Sequence, residues 1–347
     1  MCSAQSQETK HILKKMGAYL DKPITEKEIE KGADNRLIYS AVSMQGWRKT
    51  QEDSHIAELK LPNGEALFGV FDGHGGKDVA IFVKQKFVDY LVKSAEYKEG
   101  RYEEALKRNF IQMDELMTEN LSSDPIVEKA DSQGCTACVG LITKDTIYCA
   151  NSGDSRCVLA RGTQAVELSE DHKPDNAGEL KRIEAAGGFV EDGRVRGILS
   201  LSRALGDMEY KMNKKIGVEA QMITCVPEIR KQSISPDDKF MIIACDGIWD
   251  CLTSQQAVDL MHNKIKARKN GENSAKVVCD MFDEIICKNV NDPESDGSGT
   301  DNMTCILIEV KKWRHKTLTA QLNLTNFNKF FKSQTGVLGF WGFGVLG

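Results

Sequence analysis

No stretch of this 347-residue sequence reaches the roughly 18 to 20 consecutive apolar residues that a membrane-spanning helix requires. The opening MCSAQSQETKHILKKMG also lacks the apolar core of a secretory signal. A protein that stays inside the cell, in cytoplasm or nucleus and with no transmembrane segment, is the expectation. Nor is there a large excess of charge of one sign. The 46 Lys and Arg residues against 51 Asp and Glu give a net charge of -5, too mild to predict nucleic acid or another polyanion as partner. The basic run KKWRHK at 311 to 316 reads as a solvated strand end. Zinc is poorly served. Six scattered histidines form no HExxH-like pair, and the CxxC of Cys135 and Cys138 has no second pair at zinc-finger spacing. The eleven cysteines, odd in number and scattered, read as small buried hydrophobes in a reducing compartment.

Several familiar site patterns are absent when their spacings are counted. GGKD at 75 to 78 fails as a phosphate-binding loop, because Asp78 follows the lysine and no glycine lies five residues before Gly76. DPESDGSGTDNM at 292 to 303 begins like a calcium loop but places Met303 where a bidentate Glu belongs. Cys149 and Arg156 are separated by six residues, where a cysteine-based phosphatase needs five.

What is present is a regular alternation of strands and helices from Leu37 to Val310 with no long Pro/Ser-rich linker, which predicts one continuous domain. Strands are expected at 37 to 44, 66 to 71, 134 to 142, 146 to 150, 156 to 160, 239 to 245 and 302 to 310, many joined by short turns and hence antiparallel. In KDVAIFVKQKFVDYLV, residues Val79, Phe82, Val83, Phe87, Tyr90 and Leu91 share a helical face; Leu106, Phe110, Met113 and Met117 do the same in the next helix. Further helices are expected near 176 to 186, 254 to 268 and 274 to 289. Residues 1 to 36, polar and charged, read as a flexible lead, and 311 to 347, ending in the glycine-rich FFKSQTGVLGFWGFGVLG, as a loosely ordered tail.

Chemistry enters where apolar strands end on acid. ALFGVFDGHGG at 66 to 76 ends a strand on Asp72 and His74, and MIIACDGIWD at 241 to 250 ends another on Asp246. GTDNMTCILIEV places Asp301 at the start of a third. In an antiparallel sheet the start of one strand lies beside the end of its neighbour, so Asp72, Asp246 and Asp301 can converge on one edge. Three converging carboxylates repel one another in a low-dielectric cleft unless a cation joins them. Carboxylates, backbone carbonyls such as that of Gly73, and water suit Mg²⁺ or Mn²⁺. MQGWRKTQEDSH at 44 to 55 adds Arg48, a forked donor suited to phosphate, together with Glu52 and Asp53.

Taken together and in order, MQGWRKTQEDSH, FGVFDGHGG, ANSGDSRCVLA, LSEDHKP, LSLSRALGD, IIACDGIWD and TDNMTCILI resemble the metal-dependent protein phosphatases, the protein phosphatase 2C family. The likeness covers roughly residues 37 to 310 and is nearest to the alpha-type animal enzymes, reaching back to MGAYLDKP at 16 to 23. It implies an α+β fold, a four-layer αββα sandwich of two antiparallel sheets flanked by helix pairs, with metals in the cleft at one end. It implies a protein serine/threonine phosphatase in which a hydroxide bridging two Mn or Mg ions attacks phosphorus directly. Asp72 would bridge the ions, with Asp246 and Asp301 on one and the Gly73 carbonyl on the other. Glu52 and Asp53 would hold metal-bound waters, Arg48 the substrate phosphate, and His74 would be the general acid. Asp154 and Asp250 match a weaker third-ion site.

The same resemblance makes 171 to 235 the flap beside the cleft, and Asp207 and His172 are read as structural support. Phosphoprotein substrates and a monomeric state are expected. The long helical extension of the alpha-type enzymes has no counterpart in the 37 residues after Val310. Gly17, the position after Met16, lacks the Ser or Thr that favours myristoylation. Two other readings are a catalytically silent phosphatase-fold binding module and a metal-dependent hydrolase of small phosphate esters.

Overall fold

The computed structural model describes residues 19–119, 126–269, 273–292 and 295–311, without the side chains of Glu119 and Val127. Apart from Lys311 the expected tail lies outside these residues, as do residues 1–18 with Gly17.

Strand formation follows the apolar runs. The 66 to 71 run forms β4 (Ala66–Phe71), all six residues buried. Covered on both faces, such a strand reads as an unbroken apolar run. It sits in a five-stranded antiparallel sheet between β3 (Ser54–Glu58) and β7 (Ala137–Ile142), continued by β8 (Thr146–Ser152) and β14 (Glu228–Ser233). A six-stranded antiparallel sheet faces it, in the order β1 (Tyr19–Ala33), β2 (Leu37–Arg48), β16 (Met303–Val310), β15 (Asp238–Ala244), β9 (Arg156–Arg161) and β10 (Gln164–Glu167). Between the sheets Tyr39 meets Phe68 at 5.4 Å between ring centres, and a side chain at Gly140 would press on Met241 and Ile243.

Each sheet is closed on its outer face by helices. The paired stripes of α1 (Asp78–Lys93) and α3 (Tyr102–Glu119), which flank the one-turn α2 (Ala95–Lys98), pack with Leu67, Phe71, Val139 and Leu141 into one apolar core. Of the stripe expected on α1 only Tyr90 reaches the surface. On the opposite face α7 (Ser254–Ala267) and α8 (Ser274–Ile285) bury Val258, Met261, Val278, Met281 and Phe282 against Val42, Ile242 and Leu307. Thr253 and Gln256 start α7 with a reciprocal capping box, and the Asn273 side chain caps α8. With the short pairings of β5 (Gly73–His74) and β13 (Leu205–Gly206) on β6 (Gly134–Cys135), the hairpin of β11 (Val190–Glu191) and β12 (Arg194–Val195), and the short helix α4 (Ile126–Ala130), the described residues form the four-layer αββα sandwich expected from the sequence.

The expectation of a flexible lead over 1 to 36 requires correction from Tyr19 onward, where the described residues begin. Tyr19–Ala33 is a strand of 15 residues, hydrogen-bonded along β2 as the outermost strand of its sheet, with register breaks between Tyr19 and Lys27. Composition concealed it because an edge strand with one solvated side needs little apolar content; its backbone pairing carries it. Specific contacts fix it. Glu30 accepts from the Tyr39 hydroxyl at 2.8 Å and pairs with His55 at 3.1 Å, while Lys27 reaches Asp283. Tyr39 also packs where a side chain at Gly32 would stand.

Candidate metal centre and active site

The acidic ends of three strands converge as the pleat requires. β16 lies between β2 and β15, with Cys305 opposite both Val42 and Ala244. The start of β16 at Asp301 is therefore brought beside the end of β2 at Arg48 and the end of β15 at Asp246. Asp72 arrives from the facing sheet at the end of β4. Asp72, Gly73, His74, Arg48, Glu52, Asp154, Asp246 and Asp301 line a single cleft of about 270 Å³, together with Leu199, Ser200 and Leu201 of the flap.

The local backbone is built for this convergence. Asp72 is held on both sides of its peptide: its N–H donates to the Thr136 hydroxyl at 3.1 Å and its carbonyl accepts from Thr136 N–H at 2.8 Å. Thr136 is itself fixed by Ser155 at 2.7 Å. Gly73 cannot carry a side chain, since a Cβ there would stand 2.5 Å from the Glu52 carbonyl oxygen. The close approach is what leaves this backbone accessible from the cleft. Gly247 is constrained in the same way by the Asn302 carbonyl.

Asp53 lies behind the cleft rather than in its lining. One carboxylate oxygen accepts from the Thr304 hydroxyl at 2.6 Å, and the other is buried without a hydrogen-bond partner. Oxygens of Asp53 and Asp72 and the Cys245 thiol fall within 4.8 Å of one another. The thiol is engaged by the backbone of Thr304 and Asn302, at 3.2 and 3.5 Å, so the donors left for an ion are oxygens. Glu52 accepts from Thr50 at 2.7 Å and from Gly76 N–H at 3.1 Å, tying the loop after β2 to the turn after β4. Asp250 is exposed at the end of the short helix α6 (Asp246–Trp249), its N–H donates to the Asp246 carbonyl at 2.8 Å, and its carboxylate interacts with the other acids through charge.

The electrostatics are those of a cluster short of positive charge. Burial, reinforced by the charges of Asp246, Asp53 and Asp301, pushes the Asp72 carboxyl well above the usual range. Asp246 is raised likewise, by burial and then by Asp154, Asp301 and Asp250. Asp53 is pushed up to about 6, chiefly by burial. Two cations answer them: Arg48 pairs with Asp301, and Lys173 with Asp154. The unpartnered Asp53 oxygen, the hard-donor set and the mutual repulsion all fit residues assembled to hold divalent cations.

Four functional residues escaped the sequence reading. Asp207, assigned there to structural support, sets the orientation of His74: its carboxylate meets His74 Nε2 at 2.8 Å. Burial lowers the imidazole's proton affinity, but Asp207's charge and hydrogen bond outweigh it, and the net shift is upward. Asp207 sits in the left-handed region at φ 51°, and Gly134 is needed beneath, since a side chain there would collide with both groups. Asn302, just before β16, ties the start of that strand to β2 and the loop after it, accepting from Glu52 N–H at 3.0 Å and donating to the carbonyls of Gln45 and Thr50 at 2.8 and 2.9 Å. Thr136 and Lys173 complete the set. SRALGD, TDN and HKP had marked three of these positions without showing what they touch. His172 is a core residue as expected: Nδ1 accepts from Gly153 N–H at 3.3 Å, and burial lowers its pKa to about 4.

Cys135 and Cys138 are fully buried free thiols, and the grouping of possible metal ligands found among the described residues is the one at Asp53, Asp72 and Cys245.

A sandwich whose end gathers carboxylates from both sheets, with a guanidinium and an imidazole–carboxylate pair beside them, defines a hydrolase that works on anionic esters through divalent cations. Comparisons with known proteins narrow the class. The sequence profile of protein phosphatase 2C matches residues 38–290. "Probable protein phosphatase 2C 2" and "Protein phosphatase 2C 1" of Paramecium tetraurelia are each 43% identical over 304 residues, covering 86% of this chain and all of theirs. "Protein phosphatase 2C homolog 2" of Hypocrea jecorina is 43% identical over 303 residues, 84% of this chain and 67% of its own. The same fold is seen in a crystal structure of serine-threonine phosphatase 2C from Toxoplasma gondii, with a TM-score of 0.66, 22% identity, and coverage of 82% of this chain and 99% of that one. The chain belongs to the protein phosphatase 2C family of metal-dependent protein serine/threonine phosphatases.

Proposed function

We propose that the acidic cleft hydrolyses phosphoserine and phosphothreonine in protein substrates with two Mg²⁺ or Mn²⁺ ions bound. The observation that carries this reading is the meeting of Asp72, Asp246 and Asp301 with Arg48 and His74 in one cleft. Asp72, Asp246, Asp301 and the Gly73 carbonyl would hold the ions, and Glu52 and Asp53 would hold water around them. Bound there, the ions supply Lewis acidity and a nucleophile at neutral pH.

The chain's own residues do the rest. Arg48, half exposed at the rim and paired with Asp301, offers its guanidinium fork to the substrate phosphate. His74 has Nε2 occupied by Asp207, which leaves Nδ1 to hand a proton to the departing serine or threonine alkoxide. The upward shift imposed by Asp207 favours the protonated imidazole that this task uses. Leu199, Ser200 and Leu201 close one wall of the cleft and narrow the path of bulk water to it.

The test is hydrolysis of a phosphothreonine peptide by the purified full chain with Mn²⁺, with Mg²⁺ and with chelator, alongside Asp246→Ala. Phosphate release that requires metal and vanishes in the variant is expected. A folded protein with no turnover in either ion would overturn the assignment in favour of a silent binding module. Turnover of small esters with none of the peptide would favour the small-ester hydrolase.

A further inference from the structure

Asp114 interrupts an apolar face of α3, where Phe110, Met113 and Met117 belong to the core shared with the five-stranded sheet. A carboxylate in such surroundings is costly unless it is paired and hydrogen-bonded. Two of its partners come from one loop. One oxygen accepts from Gly206 N–H at 3.0 Å, and the other from the Lys211 ammonium at 2.5 Å, which also donates to the Ala204 carbonyl at 2.8 Å. The side chains of Asp114 and Lys211 are only 10% and 7% exposed, so a buried ion pair clamps residues 204 to 211 onto α3. Asp207 lies at the centre of that loop. It follows Gly206 in the left-handed region, the two at φ 51° and 78°, and its N–H donates to the Gln133 carbonyl at 2.9 Å. A left-handed residue other than glycine persists only where its surroundings hold it. Gly206 and His74 flank β6, both paired with Gly134, and Asp207 reaches His74 across that glycine.

Asp114 is not among the residues that line the cleft, but it grips the residue before Asp207. We infer that Asp114, with Lys211 as its counter-charge, is a positioning residue for the proton donor: it fixes the Gly206–Asp207 turn that aims the Asp207 carboxylate at His74. This rests on the proposed role of His74 in protonating the departing alkoxide, and adds the buried pair that holds its partner in place. A buried ion pair can often be replaced by apolar residues without loss of stability, so stability alone does not account for a charge in this core. Without the acceptor for Gly206 N–H, the turn is free to relax toward ordinary backbone and the carboxylate loses its aim. The consequence is selective. Cleavage that needs a proton on the leaving oxygen suffers, and cleavage that needs none is spared.

Turnover of a phosphothreonine peptide and of an aryl phosphate by the full chain with Mn²⁺ provides the test. Asp114→Leu combined with Lys211→Met removes both charges and the acceptor for Gly206. It is expected to lower kcat on the peptide at least tenfold and on the aryl phosphate less than threefold. Asp114→Asn combined with Lys211→Met is equally neutral but keeps a carbonyl for Gly206 N–H, and should recover peptide turnover to within threefold of the wild type. In an Asp207→Asn background the leucine and methionine pair should add less than threefold, because both changes act through one turn. Asp114→Ala with Lys211→Met carries the same expectations and replaces the leucine variant if that one fails to fold. Equal losses on the two substrates, no loss on either, no recovery with asparagine, or a full further loss in the Asp207→Asn background would each overturn the positioning role while leaving the phosphatase reading intact. A wild type that releases phosphate from neither substrate would overturn the phosphatase reading itself and this inference with it.

Discussion

Two groups of carboxylate in this molecule meet opposite fates. At the cleft, Asp72, Asp246 and Asp53 face one another, and burial with mutual repulsion raises their proton affinity. In the flap, Glu179 of α5 (Ala177–Ala185) is held by Arg203 at 2.7 Å, Arg182 at 2.6 Å and the Ser202 hydroxyl at 2.7 Å. Burial there is outweighed by those partners, and Glu179 is lowered to about 2. Desolvation acts in the same direction on both. What differs is whether the fold supplies the counter-charge, and a site that withholds it is one that awaits a cation from outside.

The largest expected effect breaks the cleft side of this contrast. Asp246→Ala should lower phosphopeptide turnover by on the order of a thousandfold or more, as loss of metal catalysis implies. The same substitution should leave the metal-free fold as stable as the wild type or more so, because it relieves repulsion; a marked fall in the melting temperature without metal would contradict this. Glu179→Ala should do the reverse. Stranding two buried guanidinium groups should cost roughly 3–5 kcal/mol, read from urea unfolding.

Acid should separate the clusters as well. The folded pKa of Glu179 lies below its unfolded value, so its contribution is present above about pH 4.5 and is lost as pH falls toward 2, on the order of 3 kcal/mol in all. Glu179→Gln should flatten that part of the stability profile between pH 4.5 and 2, and an unchanged slope would show that the arginines do not hold the charge. Asp207→Asn should slow release of phosphate from phosphothreonine peptides by about a hundredfold. Release from an aryl phosphate, whose phenolate needs no proton to depart, should change little; equal losses on both would reduce Asp207 to a packing role. Smallest of all, Tyr39→Phe removes the hydroxyl bond to Glu30 and should cost ~1 kcal/mol, with faster amide exchange confined to β1.

Much of this was legible in the chain. The 3.6-residue stripes of α1 and α3 fall on the buried faces as read, because a helix that must cover a sheet has to present its apolar positions on one side. The carboxylates that end β4 and β15 also lie where the strand pattern placed them. β1 was not legible: its stability resides in backbone pairing and a few contacts from Glu30 and Lys27, which composition does not register. Nor was the separation of Asp53 from the cleft lining. SRALGD and HKP flagged Asp207 and Lys173 as positions of interest, but a motif states no distance.

By itself the sequence determined the alternation of buried strands and amphipathic helices, the family, and the acidic residues that end the strands. Those follow from local periodicity and from charge at the limits of apolar runs. Only the tertiary structure decided which charges meet. Asp207 and His74 are 133 positions apart, Arg48 and Asp301 are 253 apart, and Asp154 and Lys173 are 19 apart with strands β9 and β10 between them. Coulomb interaction depends on separation in space and on the dielectric between groups, and neither is written in the order of the residues.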